Sequence, residues 1–248
     1  MDPVSLAIVI ATFLLAGLVK GVIGLGLPTI AMGLLGTVML PAEAAALLVL
    51  PSLVTNAWQV GEGPPVMPVL RRLAPMLLAA ALGTLGAAGF GVLPGKGSAT
   101  AGLGAALLAY AAYGLLPWRL PQVPPGAEAW VGPLAGLVTG LVTAATGVFV
   151  LPAVPYLQAL GLERDRLVQA LGLSFTASTL SLGLALAWSG SFSGGGALGG
   201  SALAIMPALA GLVAGGRLRG MVSPPVFRRC FFLGLLGLGT HLVWQGVG

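Results

Sequence analysis

Eight stretches of the chain, near residues 4–24, 43–60, 69–93, 97–117, 131–146, 166–188, 197–216 and 226–245, stay apolar for as long, or nearly as long, as a helix needs to cross a bilayer. A spanning helix takes about 20 such residues to cover a hydrocarbon core of roughly 30 Å. Inside that core every backbone N–H and C=O must be paired, as a helix pairs them within itself. Composition agrees: 7% of the residues are charged, against about 25% for an average soluble domain. The expected fold is an all-α polytopic membrane protein.

The basic residues that give the net charge of +5 sit in short loops between apolar stretches. They read as topology determinants, and nucleic acid is not an expected partner. Cys230 and His241 are each the only residue of their kind. They leave no disulfide and no metal-binding cluster to build, so no metal and no cofactor is expected. Asp2 is the only charge before Lys20, so the N-terminus lacks the basic region of a signal peptide and reads as a retained transmembrane helix.

Two apolar pieces remain, "LPTIAMGLLGTVML" (27–40) and "GVFVLPAVPYLQAL" (147–160). As helices each would be only about 21 Å long. They are expected to be broken or re-entrant half-helices that return to the face they left. With the N-terminus outside, that path puts Lys96, Arg164, Arg166, Arg217, Arg219, Arg228 and Arg229 inside and Arg71, Arg72 and Arg119 outside. It puts Trp58, Trp118, Trp130, Trp188 and Trp244 at the outer interface. Full crossing by both pieces is set aside on the expectation that it would move most arginines outside.

The halves resemble each other. "AGLVKGVIG" (16–24) matches "AGLVTGLVT" (135–143), and "PMLLAAALG" (75–83) matches "PALAGLVAG" (207–215). Two related four-helix repeats are expected, residues 1–117 and 131–248, related about the membrane normal. A proline-rich linker loop, 118–130, joins them, and "GSFSGGGALGG" (190–200) reads as a flexible outer loop.

Lys20 is a charge set into a hydrophobic run, followed by Gly21, Gly24, Gly26 and Pro28. A lysine near a helix end can snorkel to the headgroups. Beside a glycine break whose proline opens a new helix with free N–H groups, it can also outline an anion site. In the second half Thr139, Thr143 and Thr146 form a hydroxyl stripe at i, i+4 and i+7. Ser52, Thr55, Asn56 and Gln59 make a polar face on the second helix, and Ser174, Ser178 and Ser181 make its counterpart, with Thr176 and Thr179 on another face. Such faces either line a cavity or glue helices together. No paired intramembrane carboxylates, no defensible Ser–His pair and no GxxxxGK[ST] motif occur, so no enzyme is expected.

These glycine breaks, "AGLVKGVIGLGLP" in the first half, with the Ala-rich Ser/Thr/Asn helix that follows and third helices ending "ALGTLGA" and "AGLVAGGRL", resemble the TauE/SafE sulfite exporter family over nearly the whole chain. The resemblance implies a multi-pass permease of the bacterial cytoplasmic (inner) membrane for sulfite, a sulfonate or a related organosulfur or carboxylate anion. Its glycine pattern carries over onto Gly17, Gly21, Gly24 and Gly26, whereas "TAATG" (143–147) departs from it. The expected substrate site therefore combines Lys20, Gly24, Gly26, Ser52, Thr55 and Asn56 with Thr139, Thr143, Thr146, Ser174 and Ser178, working by alternating access. The expected partners are a small anionic substrate, the lipid bilayer and, as a homodimer, a second copy of the chain. A small-solute channel and a non-transporting assembly subunit are the competing readings.

Overall fold

The computed structural model describes residues 2–95, 99–116, 120–192 and 196–247. Lys96, Trp118 and Arg119, which entered the topology reading, lie outside the described residues, as does part of each glycine- or proline-rich loop. The described chain is helical throughout: α1 (Pro3–Ile23), α2 (Leu27–Leu35), α3 (Pro41–Gly61), α4 (Val66–Gly89), α5 (Ala99–Leu115), α6 (Glu128–Thr146), α7 (Ala153–Ala159), α8 (Arg164–Trp188), α9 (Gly196–Leu218) and α10 (Pro224–Val247). Seven of these are long and apolar enough to cross a membrane, and α5 is a shorter apolar helix. The eight expected spans are all found, and α2 and α7 are the two short helices. Residues 128–130 and 196–200, read from sequence as loop, already belong to α6 and α9.

Local chemistry sets the ends. Asp2 caps α1 by accepting from the N–H groups of Val4 and Ser5 at 3.0 and 2.9 Å. Gly24, at φ +78°, closes α1, its N–H donating to Lys20 O at 2.8 Å. Gly147, at φ +73°, closes α6 in the same way on Thr143 O.

Small residues decide which helices meet. A Cβ on Gly17 would lie 2.1 Å from Ala208 O, and one on Gly21 2.3 Å from Leu212 O. The same closeness holds α6 on α4, where a Cβ on Gly136 would lie 2.1 Å from Met76 O and one on Gly140 2.2 Å from Ala80 O. Lipid offers no hydrophobic drive between helices, so close backbone approach through glycine is what makes these pairings favourable. The main pairings, α1 on α9, α4 on α6, α3 on α8 and α5 on α10, are unchanged when α1–α5 are exchanged for α6–α10. The halves interleave.

The directions of the helices correct the expected path. Lys20 near the end of α1 reaches Thr55 near the end of α3, and Gln59 Nε2 donates to Gly24 O at 2.9 Å. Both helices thus finish at one end of the molecule, and residues 24–40 must carry the chain back across it. In the second half, Val168 at the start of α8 sits beside Gly24 and Gln59, while Gly147 at the end of α6 packs on Met32 and Ala45 at the other end. Residues 147–163 therefore cross as well. The expectation of a return to the same face treated helix as the only spanning form. In each half a short helix continued by non-helical residues, 24–26 and 36–40 around α2 and 147–152 and 160–163 around α7, carries the chain back. It is tolerated because Leu27, Thr29, Ala31, Met32, Val148, Phe149 and Val150 are buried in protein and touch no lipid.

Two consequences follow. First, α3 and α8 run antiparallel, with Ser52 against Thr179 and Asn56 against Gly172, and so do α5 and α10, with Gly104 against Gly239 and Gly114 against Phe232. The halves are related by an axis in the membrane plane and not along its normal. Second, Arg71, Arg72, Arg164, Arg166, Arg217, Arg219, Arg228 and Arg229 all gather at the end where α1 finishes. Full crossing thus concentrates the arginines instead of scattering them. Trp58 and Trp130 lie at this end and Trp188 and Trp244 at the opposite one, which replaces the single outer belt expected from sequence.

Candidate functional site

Lys20 is 2% exposed. Its side chain does not snorkel but turns inward from α1 to α3. Nζ donates to Thr55 Oγ1 at 3.1 Å and to Asn56 Oδ1. Thr55 gives its own proton to Pro51 O at 2.8 Å. Asn56 Nδ2 donates to Ser52 Oγ at 3.3 Å, and Ser52 Oγ lies 3.1 Å from Thr179 Oγ1 on α8. Thr179 donates to Phe175 O at 2.6 Å, so its proton is in use and Ser52 is the donor of the pair. A directed chain, Lys20 to Asn56 to Ser52 to Thr179, runs from α1 through α3 to α8.

An ammonium has three N–H donors, and these contacts use two of them. The ion pairs among the described residues are Arg72–Glu128 and Arg166–Glu163, so Lys20 has no carboxylate partner among the described residues. A buried cation with only neutral dipoles around it is under-compensated, because dipoles orient it without supplying counter-charge. An arriving anion would supply both the charge and the third acceptor. Lys20 also lines a cavity of about 380 Å³ at the arginine-rich end, bordered by Gly24, Gln59, Glu62, Arg217 and Arg219.

The break after Lys20 is held open by its neighbours. Gly26, at φ +113°, begins α2, whose N-terminus carries no side-chain cap and has Pro28 in its first turn. Gln59 Nε2 ties Gly24 O to Val168 O, both at 2.9 Å. Arg219 donates through Nη2 to Gly21 O at 2.7 Å and through Nε to Gly21 O and Val22 O at 3.1 Å. A guanidinium on the last carbonyls of α1 matches the negative end of that helix.

The structure thus joins Lys20, Ser52, Thr55 and Asn56, with Gly24 attached through Gln59. The second-half residues are arranged differently. Thr139, Thr143 and Thr146 donate to Ala135 O, Thr139 O and Val142 O, each at 2.7 Å, so the stripe offers no free protons where a ligand was expected to collect them. Ser174 and Ser178 are buried, and their hydroxyls have no partner among the described residues. Gly140 meets α4 as Gly21 meets α9, which sets Thr139 opposite Lys20 in the packing register. The α6 helix then continues one turn further before its break. Sequence reasoning missed two contributors: Thr179, assigned to a face away from the serines, and Arg219, whose only signal was its place in a basic loop.

Residues 9–242 match the family described as sulfite exporter TauE/SafE. Comparison with curated proteins and with solved structures finds no match.

Proposed function

The chain belongs to the sulfite exporter TauE/SafE family of membrane transporters, and on that footing we propose that it moves a small anion, sulfite, a sulfonate or a related organosulfur or carboxylate anion, by alternating access around Lys20. The observation that carries the reading is the buried Lys20 side chain, joined to Thr55 and Asn56 and lacking a carboxylate among the described residues. Asn56, Ser52 and Thr179 hold it in place. No step requires bond-making, and the chain is a carrier and not an enzyme.

The positive-inside rule places the arginine-rich end in the cytoplasm, and the bacterial inner membrane is the setting this reading assumes. The cavity beside Lys20 borders Arg217 and Arg219, so this conformation is the inward-facing one. Inverted halves supply its counterpart: exchanging the conformations of the two crossing segments would close this end and open the other.

Purified protein in liposomes, loaded with sulfite and challenged with sulfite, sulfonates, sulfate, chloride and short carboxylates, tests the proposal with Lys20→Gln in parallel. Saturable counterflow of one anion class, lost in a folded Lys20→Gln protein, is the expected result. Wild-type flux unchanged by Lys20→Gln overturns the site, and absence of any anion counterflow overturns the function.

A further inference from the structure

Across the end of α1 from the Lys20 cavity lies a second cavity, of about 420 Å³. Arg164, Arg219 and Arg228 line it together with the rings of Tyr110, Tyr113 and Phe232, and among the described residues no acidic one does. None of the three arginines is in an ion pair among the described residues. Arg228 stands over Phe232, 5.5 Å from the ring centre, an arrangement that fixes the guanidinium while leaving its edge donors free. Tyr110 is fully buried and packs edge-on against Phe232 at 5.1 Å, yet its hydroxyl has no hydrogen-bond partner among the described residues. Tyr113 donates to Gln158 Oε1 at 2.8 Å. Arginine forks, an idle phenol and an aromatic wall make an anion site with an apolar body pocket.

We propose that this cavity binds an amphipathic organic anion, a sulfonate or carboxylate carrying an aromatic or aliphatic body, with the head on Arg164 and Arg228 and the body against Phe232 and Tyr110. The volume is far larger than sulfite needs and falls within the usual range for organic ligands, roughly 300–1,000 Å³. Arg219 and Val168 line both cavities, so a ligand here abuts the break that follows Lys20. The site is distinct from Lys20 and does not depend on which anion Lys20 carries.

The test is equilibrium dialysis of the purified full chain in detergent against radiolabelled benzenesulfonate, with Arg228→Gln, Arg228→Lys, Tyr110→Phe and Lys20→Gln. Saturable binding is expected in the wild type. Loss of a charge-assisted fork should weaken it roughly ten- to a hundredfold in Arg228→Gln, with Arg228→Lys in between and Tyr110→Phe weakened a few-fold. Lys20→Gln is read separately: a saturable component that it removes belongs to Lys20, and the Arg228-dependent component should remain, which separates failure here from failure of the Lys20 reading. Arg228 is exposed, and an unchanged melting temperature certifies the folded state of its variants. Binding that does not saturate, or that Arg228→Gln leaves intact while Lys20→Gln abolishes it, overturns the proposal. So does mass spectrometry that finds phosphatidylglycerol bound to the wild type and absent from Arg228→Gln, which would assign the cavity to a lipid headgroup.

Discussion

Gly17 presses its Cα side against the carbonyl of Ala208 so closely that an added Cβ would stand 2.1 Å from the oxygen. The obstacle is helix backbone, which cannot rotate away as a side chain can, so α1 and α9 would have to part. Gly17→Ala should therefore destabilise the protein by about 1–3 kcal/mol, the usual scale of overpacking. Gly234→Ala on α10, where nothing lies within 4 Å, should be neutral or slightly stabilising, since alanine favours the helix by up to about 1 kcal/mol. Thermal unfolding in detergent compares them. Equal melting temperatures would remove the close approach as a determinant of this fold.

Asn56 offers a sharper test of the charge argument than deletion of Lys20. Asn56→Asp puts a carboxylate where Oδ1 now accepts from Nζ, giving Lys20 a permanent counter-ion that an incoming anion must displace. Counterflow should fall at least about tenfold while the melting temperature holds or rises. Asn56→Leu should lose both flux and stability, because it strands a buried donor at a cost of about 1–3 kcal/mol. Wild-type flux in Asn56→Asp would mean that the anion does not meet Lys20.

Much of this was legible in the sequence because it is local. The long helices follow from apolar run length, the first break from Gly24 and Gly26, and the inward face of α3 from the spacing of Ser52, Thr55, Asn56 and Gln59. The direction of α3 was not legible, since it turns on the short broken segment 24–40 being sheltered by protein, and shelter is a property of the assembled bundle. The threonine stripe was misjudged for a related reason. Helical spacing fixes which face Thr139 and Thr143 share but not whether their protons go to a ligand or to the carbonyl one turn back. Arg219 meets Gly21 from 198 residues away, and nothing short-range announces it.

Pro51 leaves Leu47 O without its usual helical donor, and Ser201 on α9 takes that place, donating to Leu47 O at 2.9 Å and accepting from Leu50 N–H at 3.1 Å. Ser201→Ala should destabilise by about 1–2 kcal/mol, as expected for buried groups left unpaired. In a Pro51→Ala background the helix regains its own N–H donor, and the same change should be nearly silent. A double-mutant cycle in detergent measures the coupling, with about 1 kcal/mol expected. Additive effects would show that Ser201 packs without stitching the kink.

The path of the chain makes a prediction that separates it from a re-entrant one. In a Cys230→Ser background, Glu62→Cys after α3 and Glu163→Cys before α8 should react with a membrane-impermeant maleimide from the same face. Phe90→Cys, at the far end of α4 and 92% exposed, should react from the other face. Both glutamates are at the arginine-rich end because residues 24–40 and 147–163 each return across the bundle. If those segments turned back to the face they left, α3 would run the other way while α8 kept its start inside. Glu62→Cys and Glu163→Cys would then label from opposite faces, and the antiparallel contact of Ser52 with Thr179 could not form. Labelling in intact cells and in inverted vesicles reads the two outcomes directly.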